Sequence, residues 1–398
     1  MHARPLDGIR VLEVGQLLAG PFAGTMLGYF GAEIIKVEPP GDGDPIRGWR
    51  LLDDSGTSWW WRSLGRNKKS VTANLRTEAG RAVVKRLMET ADVVVENFKP
   101  GTLEKWGLGP EDLKPTNPDL IFARISGYGQ TGPNSHKPGF ASVTEAYSGF
   151  RYTNGFPGQA PVRPNLSIGD TLAGIHAVLG VLLALLERNK PDGARGQVVD
   201  VALYEAMFNL MEGVVPEYSG AGAIREASGT TITGIVPTNT YRCGDGSYVV
   251  IGANGDSMFV RLMRAMGRDD IADDPRFAKN AGRVEEQTYL DDTISAWTGE
   301  RSSQQVIETL EAVDVPVGPI YSVADMFNDP HYRSRGMFES VNTDAGPLDL
   351  PAILPRLSDT PGATEWPGGA VGSHTDEVLK VAGYTEEEVT ALRKAGDI

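Results

Sequence analysis

The first two-fifths of the chain alternate short runs of β-branched and aliphatic residues with segments of helical period. "IRVLEV" (9–14), "EIIKVE" (33–38), "SVTANL" (70–75), "DVVVENF" (92–98) and "LIFARISGYG" (120–129) read as strands. Between them the pattern predicts a helix opening at Gly20-Pro21, a helix across 77–90 and a short one near 110–114, with a long polar loop after the second strand. Pro21 suits the first helical position. Strands separated by helices and short links pair in parallel through crossovers, which makes this part a Rossmann-like α/β layer. An apolar helix over 171–188 follows, then a strand "VVDVAL" and a helix at 203–215. From about 219 to 240 the pattern dissolves into Gly, Ser and Thr, a linker or mobile loop. A hairpin turning at Gly244-Asp245-Gly246 and helices near 256–267, 285–298 and 302–312 make a smaller α/β domain at 220–322. The tail from 323, ending in "TDEVLKVAGYTEEEVTALRKAG", is too little to fold alone and is expected to pack on the N-terminal domain. The large domain is therefore expected from 1–219 and 323–398, that is, from both chain ends.

Composition narrows the function classes. A chain of 398 residues with 40% apolar content suits one large and one smaller globular domain. A formal net charge of -14 argues against a nucleic-acid partner, although a few gathered cations could still hold a small anion. Cys243 is the one cysteine, which excludes an internal disulfide framework and a thiolate zinc site. The N-terminus lacks the pattern of a secretory signal, and the longest apolar run, within 177–186, is too short to span a bilayer. The expectation is a cytoplasmic protein with no membrane partner.

Single motifs decide little. Gly15 and Gly20 stand at the spacing of a phosphate loop, but Pro21-Phe22 replaces the Lys-Ser/Thr that would hold phosphates and Mg²⁺. No G-x-G-x-x-G is present, so neither nicotinamide nor flavin binding has a fingerprint. "GDGDPIRG" (41–48) reads as a turn cluster. Arg66, Lys68, Lys69, Lys99, Lys105, Arg124 and Lys137 fall near strand ends, where open α/β sheets bind ligands, or are solvated surface cations. The histidines show no metal-ligand spacing, His176 reads as a packing residue, and no serine lies in a G-x-S-x-G elbow. Asp170 stands before an apolar helix. It reads either as that helix's N-cap or as a carboxylate kept ionised at the helix start and available as a nucleophile, with Gly169 leaving room for approach. Sequence physics leaves both open.

Longer blocks carry more. "PLDGIRVLEVGQLLAGPFAG", "GAEIIKVEPPGDGDPIRG", "NKKSV", "DVVVENFKPGTLEKWGLG", "ISGYGQTGP", "GDTLAGIHAVLGVLLAL", "GARGQVVDVALYEA", "DPRF", "VPVGPI" and "GSHTDEVL" occur in this order over nearly the whole chain. Together they resemble the family III CoA-transferases, whose relatives include the α-methylacyl-CoA racemases. The resemblance implies a pair of ring-like subunits threaded through one another, an interlocked homodimer, each with a large Rossmann-like domain and a small domain. It implies Asp170 as the acyl-accepting nucleophile. It also implies a coenzyme A site at Leu18 and Ala19, at Ala73, Asn74, Leu75 and Arg76, at Asn97, Phe98 and Lys99, at Lys105, and at Lys137, Pro138, Gly139 and Phe140. Pro39 stands where formyl-CoA transferase has an arginine on the adenine. Phe140-Ala141 replaces the His-Asp pair of the racemases, and a hydrocarbon ring cannot exchange an α-proton, which disfavours racemisation.

By that resemblance, Asp170 attacks an acyl-CoA to give an anhydride and then an enzyme–CoA thioester, and an acceptor acid completes the exchange without metal or ATP. The loop at 230–238, with Gly234 as its flexible point, would be a lid that excludes water; as a plain surface connector it would do nothing. "RNKKSV", "GYGQTGP", "PVRP" and "GIVPTNTYRC" are similar to members that move CoA between dicarboxylates such as succinate, glutarate, hydroxymethylglutarate, citramalate or itaconate. A second carboxylate would need a cation, and Arg47 or Arg163 could supply it. A racemase and a non-catalytic acyl-CoA-binding protein are the competing readings.

Overall fold

Six strands form one parallel sheet: β1 (Arg10–Glu13), β2 (Glu33–Glu38), β3 (Lys68–Thr72), β4 (Val93–Glu96), β5 (Ile121–Ser126) and β6 (Val198–Ala202). In the computed structural model, which describes residues 3–398, their order is β3-β2-β1-β4-β5-β6 with every pairing parallel. Alternate strand residues serve opposite faces, and both faces are covered. Val11, Ile34, Val93, Ile121 and Ala123 pack with Ala19, Ala23 and Leu27 of the Ala19–Tyr29 helix and with Ala173, Ala177 and Val181 of the Ile168–Arg188 helix. Leu12, Ile35, Val71, Val94 and Phe122 pack with Val84 and Leu87 of the Glu78–Met88 helix and with Val378, Leu379, Val389 and Ile398 from the chain end. Each such fully buried Val, Leu, Ile or Phe side chain contributes roughly 1.5–3 kcal/mol over an exposed one.

The chain divides into two compact units. One comprises Met1–Phe150, Pro164–Glu212 and Arg333–Ile398, and the other comprises Arg151–Arg163 and Gly213–Tyr332. The larger unit draws on both chain ends, and the smaller one takes in 151–163 and runs from 213 to 332 where 220–322 was expected. The tail also closes an edge. β3 has no neighbour on its outer side, and its polar groups are met by the returning chain: His374 N–H bonds Ser70 O at 2.9 Å, and Thr72 N–H bonds Thr375 Oγ1 at 3.0 Å. Covering the edge in this way removes a site for pairing with another chain. In the smaller unit, β7 (Thr238–Arg242), β8 (Tyr248–Gly252) and β9 (Val317–Pro319) form an antiparallel sheet whose core includes Tyr241, Val249, Phe259, Leu262 and Ile294.

Several elements differ from the sequence pattern. The polar loop after β2 contains a 3-10 helix, Pro45–Gly48, and a helix, Trp59–Leu64, whose start is capped by Ser58 Oγ accepting from Trp60 N–H at 3.1 Å. The expected helix at 203–215 is two, Leu203–Phe208 and Val214–Ala221. A hairpin absent from the reading, β10 (Phe338–Thr343) with β11 (Gly346–Pro351), lies in the tail. The Ile168–Arg188 helix begins three residues earlier than expected, and its 21 residues are long and apolar enough to cross a membrane by length and composition. Here it is the crossover between β5 and β6, with its small-residue face, Ala173, Ala177 and Ala184, buried on the sheet.

Candidate active site

In a sheet of this order, the loops after β1 and β4 turn to opposite sides, and ligands bind in the crevice that opens between them at the strand carboxyl ends. The loop after β1, Gly15–Leu18, crosses to the loop after β4 through one side chain. Asn97 Oδ1 accepts Gln16 N–H at 2.8 Å, and Asn97 Nδ2 donates to Gln16 O at 2.8 Å. Both ends of the Asn97 amide are thereby used on the protein backbone. Leu18 and Ala19 open the first helix, which has no side-chain cap. Its first intrahelical bond is Phe22 N–H to Leu18 O, and the N–H groups of Leu18, Ala19 and Gly20 have no hydrogen-bond partner among the described residues. Three open donors at a helix start suit a phosphate, a carboxylate or a developing oxyanion.

Asp170 reaches the same edge by topology. A helix joining parallel strands starts at their carboxyl ends, and Asp170 is the third residue of the Ile168–Arg188 helix. Asp170 is not the cap, since that position belongs to Ser167, whose side chain makes no capping hydrogen bond. The carboxylate therefore lies inside the first turn, half-buried, where the helix dipole favours its charge. Four residues further, about 6 Å along the axis, Gly174 sits on the same face. A Cβ at Gly174 would stand 3.0 Å from Ala19 O and 3.0 Å from Phe22 Cδ1. These two helices are thus in close contact one turn after Asp170, at the start of the first helix. The nearby Glu145, absent from the sequence reading, is fully buried, and its Oε1 accepts Gly169 N–H at 3.4 Å. A glutamate in the unremarkable stretch "VTEAY" gave no signal of this.

The remaining candidates line the strand ends of the same unit. Ala73, Asn74, Leu75 and Arg76 form the link from β3 to the next helix, with Ala73 N–H on Glu38 O at 2.9 Å and Arg76 exposed. Phe98 packs edge-on against Trp106, and Lys99 and Lys105 are exposed. Lys137, Pro138 and Phe140 are exposed, while Gly139 lies so close to Gly127 that a Cβ on Gly127 would meet Gly139 Cα at 2.9 Å. That contact draws the 137–140 segment onto the end of β5. Arg76, Lys99, Lys105 and Lys137 have no carboxylate within ion-pair distance among the described residues. By contrast, Arg124 is spent on Glu96 and Glu104, both at 2.7 Å. Lys68 and Arg66 are buried, and Lys69 is paired with Glu33 and Glu377.

Arg47 is also committed. Its Nε and Nη2 each bond a Glu38 carboxylate oxygen at 2.7 Å, and its guanidinium stacks on Trp61 at 3.8 Å. Burial alone would raise the Glu38 carboxyl, but Arg47 and Lys36, aided by Ser70, bring it down to about 2. The folded value lies below the usual one, so this stability is complete above about pH 4.5 and lost as pH falls through about 2. Arg47→Met is expected to move the acid-unfolding midpoint up by about one pH unit, read by circular dichroism across a pH series. An unchanged midpoint would show that the pair contributes nothing. Arg163 and Gly234 belong to the smaller unit. Arg163 is exposed, and Gly234, at φ +79°, has its carbonyl held by Asn280 Nδ2 at 2.8 Å.

The model of the family described as CoA-transferase family III matches residues 6–375. Among similar proteins, the succinyl-CoA–D-citramalate CoA-transferase of Chloroflexus aurantiacus is 48% identical over 98% of this chain and 97% of its own length. The succinyl-CoA–L-malate CoA-transferase alpha subunit of Chloroflexus aurantiacus is 40% identical over 98% of this chain and 91% of its own. A CAIB/BAIF family protein from Brucella suis has a crystal structure that superposes with a TM-score of 0.84 at 32% identity, covering 96% of this chain and all of that one.

Proposed function

The chain belongs to CoA-transferase family III, and on that premise we propose that it takes CoA from succinyl-CoA and passes it to a second small dicarboxylic acid, with Asp170 as the acyl carrier. One observation supports this reading: Gly174, one turn after Asp170 on its helix, packs so tightly that an added Cβ would stand 3.0 Å from Ala19 O, at the start of the helix whose first amides are open. An Asp170 oxygen attacks the thioester carbonyl, the amides of Leu18 to Gly20 meet the oxygen that gains charge, and the C–S bond breaks to release CoA thiolate. The product is a mixed anhydride of Asp170 and succinate. The bound thiolate then attacks the Asp170 acyl carbon, expelling succinate and leaving an aspartyl–CoA thioester. The acceptor carboxylate attacks that thioester to form a second anhydride, and the thiolate attacks the acceptor's acyl carbon, restoring Asp170. Over the whole cycle one thioester is broken and one is formed, so no ATP enters the balance.

Arg76, Lys99, Lys105 and Lys137 are proposed to hold the phosphates of CoA, with Ala73, Asn74, Leu75, Phe98, Pro138, Gly139 and Phe140 beside them; Asn97 acts through Gln16. With Arg47 held by Glu38, it is not proposed as the cation for the distal carboxylate of the acids. Ile175, Leu179, Leu183 and Leu186, spaced along one exposed face of the Asp170 helix, support the interlocked homodimer. A cytoplasmic place fits these soluble substrates.

The test is incubation with succinyl-CoA and D-citramalate, L-malate, glutarate or itaconate, followed by mass spectrometry of all CoA species. New acyl-CoA matching the succinate released is expected with at least one acid. The reading falls if none is converted. Deuterium entry at Cα of a branched acyl-CoA without any acceptor would instead favour a racemase.

A further inference from the structure

The turn that carries the open amides is strained and held from beneath by charge. Leu17 has φ +66°, a left-handed conformation that a bulky residue adopts only where its surroundings enforce it. Each backbone polar group leading to it is taken. Gly15 N–H bonds Val95 O at 3.3 Å, Gly15 O accepts from Lys36 Nζ at 3.0 Å, and the Gln16 amide and carbonyl are gripped by Asn97. Leu17 N–H points at Asp44, with Oδ1 at 3.1 Å and Oδ2 at 3.2 Å. Lys36 and Asp44 therefore grasp the two ends of the same three-residue turn, and they also pair with each other at 2.8 Å with both side chains inaccessible to water. Asp44 is itself fixed, its N–H bonding Glu38 Oε2 at 2.9 Å.

Buried ion pairs are poor devices for stability, because desolvation offsets their attraction and an apolar pair of the same volume folds as well. What an apolar pair cannot supply is a donor for Gly15 O and an acceptor for Leu17 N–H. We infer that Lys36 and Asp44 are positioning residues: they hold the turn after β1 in its strained form so that the amides of Leu18, Ala19 and Gly20 stay open toward the acyl carbonyl. This rests on the proposed reading of Asp170 for the identity of the ligand, though not for the grip itself.

The double substitution Lys36→Met with Asp44→Leu removes the grip without stranding a buried charge. It removes one charge of each sign and leaves two complete pairs, Glu13 with Lys68 at 2.8 Å and Glu38 with Arg47 at 2.7 Å. The double variant is expected to stay folded with a lowered melting temperature, since Gly15 O, Leu17 N–H and Ile46 N–H lose their partners, to exchange its amides over 14–20 faster by deuterium-exchange mass spectrometry, and to lose about a hundredfold in kcat with KM for succinyl-CoA changed less than about threefold. Asp44→Asn, which keeps an oxygen for Leu17 N–H, is expected to recover part of kcat. A stably folded double variant with wild-type exchange, or with kcat within about threefold of wild type, overturns the inference. If wild type itself transfers CoA to no acid, the reading of Asp170 fails, and the exchange measurement still decides whether Lys36 and Asp44 hold the turn.

Discussion

Asp170→Ala is expected to cut the rate of CoA transfer by at least about a thousandfold while leaving free CoA bound within about threefold of its wild-type affinity. A methyl group can form neither anhydride nor thioester, so both covalent stages vanish together, and only uncatalysed exchange between bound partners is left. The fold should survive the change. Asp170 is the third residue of its helix and not its cap, so its electrostatic contribution there is about 0.3–1 kcal/mol, small beside the packing of Ala173, Gly174 and Ala177 beneath it. Thermal melting checks that the loss is chemical. The covalent stage has its own readout: wild type treated with succinyl-CoA and then hydroxylamine should carry a mass change on the peptide containing position 170, and the variant should carry none. A variant retaining more than about a tenth of wild-type turnover would sink the nucleophilic role. A variant that loses CoA binding as well would move Asp170 from chemistry to substrate recognition.

What the sequence made visible follows the range of the physics involved. "EIIKVE" predicts β2 to its end residues, Glu33–Glu38, because the strand's apolar character is local, and the Gly-Pro helix start after β1 is equally local. The crevice at the strand ends follows once the strands are known to be parallel. The charges within those strands were not legible. Glu13 and Lys36 are partners in the β1–β2 register, and Lys68 lies opposite Ile34, so their pairing exists only after the sheet has formed. Read in isolation, Arg66, Lys68 and Lys69 are ordinary solvated or ligand-facing cations; in the fold they are structural. Asp170 as a cap failed for a related reason. Ser167, three residues before Asp170, is an ordinary cap residue by sequence, yet its side chain makes no capping hydrogen bond; Gly169 N–H is met instead by Glu145, a residue 24 positions upstream on another helix. The helix Trp59–Leu64 was lost in a polar loop because three consecutive tryptophans show no period, although Ser58 ahead of them is an ordinary cap.

Gly24→Ala should destabilise the protein by about 2–4 kcal/mol, against the usual direction for such a change, since alanine in a helix interior ordinarily gains about 0.5–1 kcal/mol over glycine. Gly24 lies within the Ala19–Tyr29 helix at the point where the Glu13 carboxylate rises from β1, and a Cβ there would stand 2.0 Å from Glu13 Oε2 and 3.0 Å from its Cδ. The carboxylate has nowhere to retreat, because it lies between Lys36 Nζ at 2.9 Å and Lys68 Nζ at 2.8 Å with no access to water. Burial already pushes the Lys68 ammonium down to about 8 despite Glu13, and withdrawing the carboxylate leaves that charge poorly compensated. Urea denaturation measures the loss. Gly220→Ala serves as the control: it lies in the exposed Val214–Ala221 helix with no atom near the added methyl, so it should be neutral or stabilising by up to about 1 kcal/mol. Adding Glu13→Asp to Gly24→Ala shortens the acid by one methylene and should recover part of the stability, which a clash with anything other than this carboxylate would not allow. If Gly24→Ala matches wild type, the three charges can rearrange around a methyl group, and the rigid support argued for the turn after β1 loses its footing.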